Sequence, residues 1–140
     1  MKILIICTGN SCRSQMAESI LKSFDENLEV FSAGTIIEKY VNPYAVKVMK
    51  EVGINLSKNY PKNVNIFLKN KFDFVITVCD GAKEICPVFL GDVKKYFHIP
   101  FEDPANAKGS EEEILKIYRK SRETIKEKFL YFYKKEIFVF

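Results

Sequence analysis

The residues best equipped for chemistry stand near the N-terminus, in segment 7–14, which reads CTGNSCRS. Cys7 supplies a thiol and Arg13 a guanidinium, and Gly9 lets the chain between them turn tightly. The backbone amides of such a loop, together with a bidentate arginine, suit a tetrahedral oxyanion. The same positive field favours the thiolate of Cys7, and Ser14 is placed to donate to the sulfur. We therefore expect a nucleophile beneath an oxyanion held by Thr8, Gly9, Asn10, Ser11, Cys12 and Arg13.

The segments on either side of this loop predict a strand before it and a helix after it. Residues 2–6 are short, apolar and rich in isoleucine, which is typical of a buried strand. Residues 15–24 place Met16, Ile20 and Phe24 on one helical face. A strand, a tight loop and a helix N-terminus form an anion site, because unpaired amides and the positive helix end point into the loop. The alternative, that Cys7 is only a small buried residue, does not account for this agreement.

The rest of the chain alternates predicted strands with predicted helices. We expect strands at 28–32, 72–78 and 93–99, and helices at 44–52, capped by Asn42, and at 64–70. Residues 80–85 have room for one or two helical turns. A long helix begins after Ser110, which forms a capping box with Glu113; its apolar stripe contains Ile114, Ile117 or Tyr118, Ser121, Ile125, Phe129 and Phe132. This alternation predicts an α/β fold, a four-stranded parallel sheet with helices on both faces.

Three candidate residues follow predicted strands directly. Cys7 and Cys79 each end a strand, and Asp103 lies in the loop after the last one. Ligands of parallel sheets sit outside the carboxyl ends of the strands, so these residues are expected to share one edge. Asp103 is the natural general acid there, because expulsion of an oxygen from an oxyanion needs a proton. The alternative is an ordinary turn aspartate before Pro104.

Length and composition narrow the class of protein. With 140 residues, of which 47% are hydrophobic, residues 1–140 are expected to form a single domain. We see neither an apolar run of transmembrane length nor a signal peptide, which predicts a cytoplasmic protein without a membrane partner. We also expect a monomer. The net charge of +4 comes from scattered lysines, which argues against nucleic acid. The apolar end, 136–140, has three possible roles: packing on the core, an added edge strand or an association surface.

Cys79 and Cys86 form a second pair of interest. On an intact helix their Cα atoms would lie ~10 Å apart, whereas a disulfide needs roughly 4.4–6.8 Å. A bond between them therefore requires the segment to loop or unwind, which Gly81 and Pro87 make easy. This pattern predicts a redox-coupled change of shape, although two unrelated buried cysteines remain an alternative. The cysteine spacings and the single histidine, His98, argue against zinc, and we expect no metal and no cofactor.

Motifs spread over residues 3–133 resemble those of the thioredoxin-coupled arsenate reductases, which share the low-molecular-weight protein tyrosine phosphatase fold. Phosphatases of this fold usually have proline at position 15 and tyrosine after the Asp-Pro pair, where this chain has Gln15 and Ala105. The QMAE ending of the first motif and the cysteines at 79 and 86 favour the reductase branch. The motifs are CTGNSCRSQMAE at 7–18, SAG at 32–34, NPYAVKVMKEVGI at 42–54, ITVC at 76–79, CP at 86–87 and EDPA at 102–105.

The resemblance implies a mechanism. Cys7 would attack arsenate, of which phosphate and sulfate are mimics, while Asp103 protonates the leaving oxygen. Cys79 would then attack the adduct on Cys7, releasing arsenite as a Cys7–Cys79 disulfide forms. Cys86 would attack Cys79, and thioredoxin would reduce the resulting Cys79–Cys86 bond. The implied catalytic set is Cys7, Arg13, Ser14, Cys79, Cys86 and Asp103.

The resemblance also implies the remnant of a potassium site. Some family members bind potassium near the positions of Asn10, Glu18 and Ser32, with an acidic residue from the loop after the second helix. The aligned loop of this chain offers Lys62 instead. We expect the Lys62 ammonium to replace the cation, so that activity does not depend on potassium.

Two other functions are compatible with the sequence. A tyrosine or small-molecule phosphatase of the same fold would act through a cysteinyl-phosphate and needs only Cys7, Arg13 and Asp103. A redox-sensing or phosphate-binding module would show no steady-state turnover with thioredoxin. In all three cases Cys12 is expected to pack within the loop and His98 to be a satisfied strand residue.

Overall fold

A four-stranded parallel sheet forms the centre of the computed structural model, which describes residues 1–80 and 88–138. The strands are β1 (Lys2–Cys7), β2 (Glu29–Gly34), β3 (Lys71–Thr77) and β4 (Asp92–His98). Their order is β2-β1-β3-β4, and every pairing is parallel. The predicted α/β fold is therefore confirmed. Cys86 and the helical turns expected within 81–85 lie outside the described residues.

Among residues 1–80 and 88–138, three α-helices and several shorter helical segments accompany the sheet. The helices are α1 (Arg13–Phe24), α2 (Pro43–Lys50) and α3 (Glu111–Phe132). Short 3₁₀ turns occupy Val64–Phe67 and Pro104–Asn106, and a π-helical turn, Tyr133–Ile137, extends α3. The helix expected over 64–70 is thus one short turn. Within the described part of the chain, no helix combines the length and the apolarity needed to cross a bilayer.

Strand β1 is buried on both faces, which explains its unbroken apolar sequence. Ile3 and Ile5 belong to the cluster that includes residues of α1, α2 and α3, whereas Leu4 and Ile6 pack in a second cluster on the other face. All four side chains are 0% exposed. Burial of each contributes about 1.5–3 kcal/mol relative to exposure. This central strand therefore fixes the position of the loop that follows it.

The helix boundaries follow local chemistry that the sequence predicts. The Asn42 side chain accepts hydrogen bonds from the amides of Tyr44 and Ala45, capping α2. Ser110 and Glu113 form the expected capping box at the start of α3. The apolar stripe of α3 differs from the expected one at its start. Leu115 is buried, whereas Ile117 is 42% exposed.

The turn that extends α3 packs against the end of α1. The Tyr133 hydroxyl donates to Asp25 Oδ2 at 3.0 Å, and its ring lies 5.8 Å from that of Phe24. Phe138 stacks on Tyr133, with ring centroids 5.9 Å apart. Within the stretch 136–140, Ile137 packs against the core cluster, whereas Phe138 is 55% exposed. The three expected roles for this stretch therefore stay predictions.

Candidate active site

The loop between β1 and α1 surrounds the sulfur of Cys7 with hydrogen-bond donors. Cys7, 2% exposed, ends β1, and its Sγ accepts a hydrogen bond from the Asn10 amide at 3.2 Å. Ser14 Oγ lies 2.9 Å from the same sulfur. Asn10 has a φ of 52°, a left-handed conformation in which asparagine is enriched. The turn at Asn10 thus brings its amide onto the sulfur.

The direction of the Ser14 hydrogen bond follows from its neighbours. Asn10 Oδ1 accepts from the backbone N–H of Lys62 at 2.8 Å, which fixes the orientation of the Asn10 carboxamide. Asn10 Nδ2 consequently donates to Ser14 Oγ at 2.8 Å. The Ser14 hydroxyl hydrogen then points to Cys7 Sγ. The sulfur therefore accepts two hydrogen bonds.

The carbonyl groups of the loop are bound from the outside. The Thr8 carbonyl accepts from the amides of Thr35 and Ile36, and the Gly9 carbonyl from that of Glu38. The carbonyl of Ser11 accepts from Asn42 at 2.7 Å. Carbonyls turned outward leave the loop amides to face inward, toward an anion. This geometry fits the oxyanion-binding role expected for residues 8–13.

Arg13 and Asp103 lie together at the rim of the loop. Arg13 is 4% exposed, and its Nη1 donates to the carbonyl of Phe101 at 3.2 Å. Its Nη2 lies 3.6 Å from Asp103 Oδ2. Asp103 Oδ1 also accepts from the Ala105 amide at 3.0 Å, which caps the short 3₁₀ turn. Asp103 therefore has both a turn-forming contact and a position beside Arg13.

A cleft of about 600 Å³ opens on the Asp103 side of the site. Its walls are the segment around Phe101 and the face of α3 that carries Lys120 and Lys128. Lys128 Nζ lies 5.0 Å from the Phe101 ring centroid and donates to the Pro100 carbonyl. The cleft gives the half-buried Asp103 carboxyl contact with solvent.

Cys79 stands at the same edge of the sheet as Cys7. Thr77, the last residue of β3, is in register with Ile6 of β1, and the Val78 amide donates to the Ile6 carbonyl at 3.0 Å. Cys79 is 0% exposed. It takes part in a disulfide bond, whereas Cys7 and Cys12 are free thiols. The structure thus brings Cys7, Cys79 and Asp103 to one edge, while Cys86 lies outside the described residues.

Cys12 differs from Cys7 although both are buried in the same loop. Burial raises the pKa of Cys12 far above its ordinary value, and the negative charge of Asp103 and the sulfur of Cys7 act in the same direction, against a lowering by Arg13. This thiol is held in its protonated form, which agrees with the packing role expected for it.

The expected cation-site remnant forms a polar cluster behind the loop. Glu18 is 6% exposed; its Oε1 accepts from Ser32 Oγ at 2.8 Å, and its Oε2 lies 3.0 Å from Lys22 Nζ. Burial lowers the pKa of Lys62, the carboxylate of Glu18 raises it and Lys22 lowers it. Lys62 Nζ donates to the Tyr60 carbonyl at 3.1 Å. Within the described ranges no group of three or more His, Cys, Asp or Glu could hold a metal ion.

Several partners of these residues were not predicted from the sequence. Lys22 pairs with Glu18 at an i,i+4 spacing, a signal that the sequence offered. The Phe101 carbonyl beside Arg13 carries no signal, because any residue could supply it. The contacts of Gln15 with Tyr60 also join segments far apart in sequence.

Comparison with known proteins finds a matching family, similar sequences and similar solved structures. The model of the family described as low molecular weight phosphotyrosine protein phosphatase matches residues 2–136. A protein of Shouchella clausii named arsenate reductase is 44% identical over 125 residues, 88% of each chain. An arsenate reductase of Bacillus subtilis is 43% identical over the same length and coverage. A solved arsenate reductase in a phosphate-binding state superposes with a TM-score of 0.78 at 28% identity, covering 96% of this chain and 97% of the other.

Proposed function

We propose that this chain, which belongs to the low molecular weight phosphotyrosine protein phosphatase family, reduces arsenate to arsenite. The relatives named arsenate reductase support the reaction class. The observation that carries the proposal is a second cysteine, Cys79, just beyond the end of β3, the strand next to that of Cys7. Neighbouring strands lie about 5 Å apart, so Cys79 stands within a short movement of the nucleophile.

In the proposed first step, arsenate occupies the loop with its oxygens on the inward amides and the Arg13 guanidinium. The Cys7 thiolate attacks arsenic and forms an S–As bond. One oxygen leaves as water, taking its proton from Asp103. The contact between Arg13 and Asp103, at 3.6 Å, supports this assignment, because it keeps the acid beside the bound oxyanion. Ser14, which donates to Cys7, lowers the energy of the thiolate before attack.

In the proposed second step, the thiolate of Cys79 attacks the sulfur of Cys7. A Cys7–Cys79 disulfide forms, and the S–As electron pair stays on arsenic, which leaves as arsenite. The two thiols are thus oxidised by two electrons and arsenic is reduced by two. Cys86 then attacks Cys79, which returns Cys7 to its thiol form. A disulfide at Cys79 beside a free Cys7 is the pattern expected after this exchange.

Thioredoxin is the proposed reductant of the final disulfide, and arsenate the proposed substrate, for which phosphate is a mimic. For each arsenate, two protein thiols give up two electrons and must be reduced again. The cycle therefore needs a reducing compartment, and we place it in the cytoplasm. We further propose that residues 1–140 act as one domain and as a monomer, because each group in the proposed mechanism comes from a single chain.

The test is arsenate-dependent NADPH oxidation in the presence of thioredoxin and thioredoxin reductase. The wild-type chain is expected to turn over, and Cys7→Ser, Cys79→Ser and Cys86→Ser to be inactive. Lys58→Ala, at an exposed position outside the anion loop, is the control and should retain turnover. A wild-type chain without arsenate-dependent oxidation would overturn the proposal.

Hydrolysis of phosphate esters is the second candidate, favoured by the family to which the chain belongs. It needs Cys7, Arg13 and Asp103 but neither of the other two cysteines of the relay. Cys79→Ser therefore separates the two functions. It should abolish arsenate turnover and leave the hydrolysis of p-nitrophenyl phosphate unchanged.

A further inference from the structure

A carboxamide that the proposed mechanism does not use lies directly behind the anion loop. Gln15 belongs to the first turn of α1 and is 0% exposed. Its Nε2 donates to the Asn10 carbonyl at 3.1 Å, to Asn10 Oδ1 at 3.2 Å and to the Tyr60 carbonyl at 3.1 Å. A carboxamide nitrogen has two hydrogens, so three acceptors share them.

The orientation of this carboxamide is fixed from its other end. Gln15 Oε1 accepts a hydrogen bond from Asn59 Nδ2 at 3.2 Å. The nitrogen of Gln15 must therefore face Asn10 and Tyr60. Gln15 joins the anion loop to segment 59–62, which also reaches the loop through the hydrogen bond from the Lys62 amide to Asn10 Oδ1.

Asn10 is the residue through which Gln15 reaches the sulfur. Its left-handed backbone, with φ 52°, is a conformation that non-glycine residues adopt rarely, so it needs support from its surroundings. Gln15 binds both the carbonyl and the side-chain oxygen of Asn10. The amide of Asn10 donates to Cys7 Sγ, and its Nδ2 donates to Ser14, the second donor to that sulfur.

We propose that Gln15 is a positioning residue for Cys7, holding Asn10 so that both hydrogen-bond donors point at the sulfur. The inference rests on the proposed role of Cys7 as nucleophile. Gln15 is more than a buried polar side chain with its hydrogen bonds satisfied. Two of its three acceptors belong to Asn10, the residue that orients the donors to Cys7. Loss of the Gln15 N–H groups would leave the loop folded but let the Asn10 amide turn away.

The test compares Gln15→Met with the wild-type chain. Methionine keeps the length and volume of the side chain and removes its donors. The readouts are the rate at which iodoacetamide alkylates Cys7 at pH 7, followed by mass spectrometry of the Cys7 peptide, and thiolate absorbance at 240 nm. Before assay the protein is reduced. We expect alkylation to slow roughly tenfold or more, as the thiolate loses its donors.

A matched variant separates positioning from stability. Ile20→Val lowers stability on the same helix without touching the loop. Its Cys7 should be alkylated at a rate within about twofold of wild type, as expected of a site without a direct link to the loop. A folded Gln15→Met that reacts at the wild-type rate, or an equal slowing in Ile20→Val, would overturn the inference. The readout needs no arsenate, so failure of the reductase assay alone would leave it standing.

Discussion

Cys7 and Cys12 share one loop and almost the same burial, yet their surroundings differ. Cys7 Sγ accepts from the Asn10 amide and lies 2.9 Å from the Ser14 hydroxyl. Burial, the first cause, and the charge of Asp103 raise the pKa of Cys12. Hydrogen-bond donors, rather than exposure, therefore distinguish Cys7, the proposed nucleophile, from Cys12.

The general-acid assignment predicts the effect of a single carboxyl. Asp103→Asn removes the proton and keeps the shape, so arsenite release in a single turnover should slow roughly 10²- to 10⁴-fold. The measurement is rapid quench of the reduced enzyme mixed with excess arsenate. Glu102→Gln, an exposed neighbour with the same change of charge, is the control and should react like wild type. Equal rates in Asp103→Asn and wild type would remove the acid role.

The cluster around Glu18 predicts independence from potassium. Lys22 Nζ lies 3.0 Å from Glu18, and Lys62 adds a second nearby positive charge, so the cluster supplies its own cations. At constant ionic strength, replacing potassium chloride by tetramethylammonium chloride should change turnover by less than about twofold, because no bound cation is lost.

A variant makes this prediction sharper. Lys62→Asp replaces an ammonium that interacts electrostatically with Glu18 by a carboxylate. The change should create stimulation by potassium, since oxygen ligands favour such cations. Lys58→Asp makes the same change of charge in this loop at an exposed position, and its turnover should remain independent of potassium. A large potassium stimulation of the wild-type chain would contradict the account of this cluster.

At the scale of elements, α2 and α3 are joined by a charged network at their surface. Glu51, just after α2, accepts from Arg119 Nη2 at 2.8 Å and from Arg122 Nη1 at 2.9 Å. The hydrogen bond from Arg119, and next the one from Arg122, lower the pKa of Glu51 to about 2, against the opposing effect of burial. Asn42 caps α2, and α3 forms one wall of the cleft beside Asp103. The ion pairs between the two helices therefore help to hold both groups in position.

This network predicts a pH-dependent contribution to stability. The folded-state pKa of Glu51 lies below its ordinary value, so its contribution is complete above pH ~5 and is lost as the pH falls toward 2. Glu51→Gln should lower the melting temperature at pH 7 relative to wild type. The gap should narrow when both proteins are melted at pH 3 by circular dichroism. Glu123→Gln, which removes a pairing of neighbours on one helix, should change little at either pH.

Elements with strong local signals could be predicted from the sequence. The buried strand before Cys7, the Asn42 cap and the Ser110–Glu113 capping box depend on residues close together in the chain. The buried face of α3 was harder to predict, because several apolar faces are possible with Ile114, Leu115, Ile117 and Tyr118. The packing of α3 against α1 and α2 selects Leu115 and Tyr118, a choice that tertiary contacts make.

The same limit applies within the site. Cys7, Arg13 and Ser14 stand in one short motif, so their proximity could be predicted. The contacts that orient them come from elsewhere: the amide of Lys62 on Asn10, the carbonyl of Phe101 on Arg13, and Gln15 on Tyr60. Backbone groups of distant segments leave no residue-type signal, so only the fold reveals them.

At the scale of the whole molecule, the parallel sheet places the reacting groups along one edge. Because β1 and β3 are neighbours, the loops that follow them carry Cys7 and Cys79 side by side. Asp103 comes from the loop after β4, which returns to the same edge through the hydrogen bond from the Phe101 amide to the Val78 carbonyl. The central proposal is that this edge lets Cys7 transfer its oxidation to Cys79.

The most direct test of that transfer traps its product in Cys86→Ser, which lacks the thiol that would resolve it. The reduced variant is mixed with arsenate, quenched in acid and mapped by mass spectrometry while released arsenite is quantified. The account predicts a Cys7–Cys79 disulfide in a ratio of about one per arsenite, as thiol–disulfide chemistry requires. Arsenite released without that linkage, or no arsenite from a variant that still hydrolyses p-nitrophenyl phosphate, would contradict it.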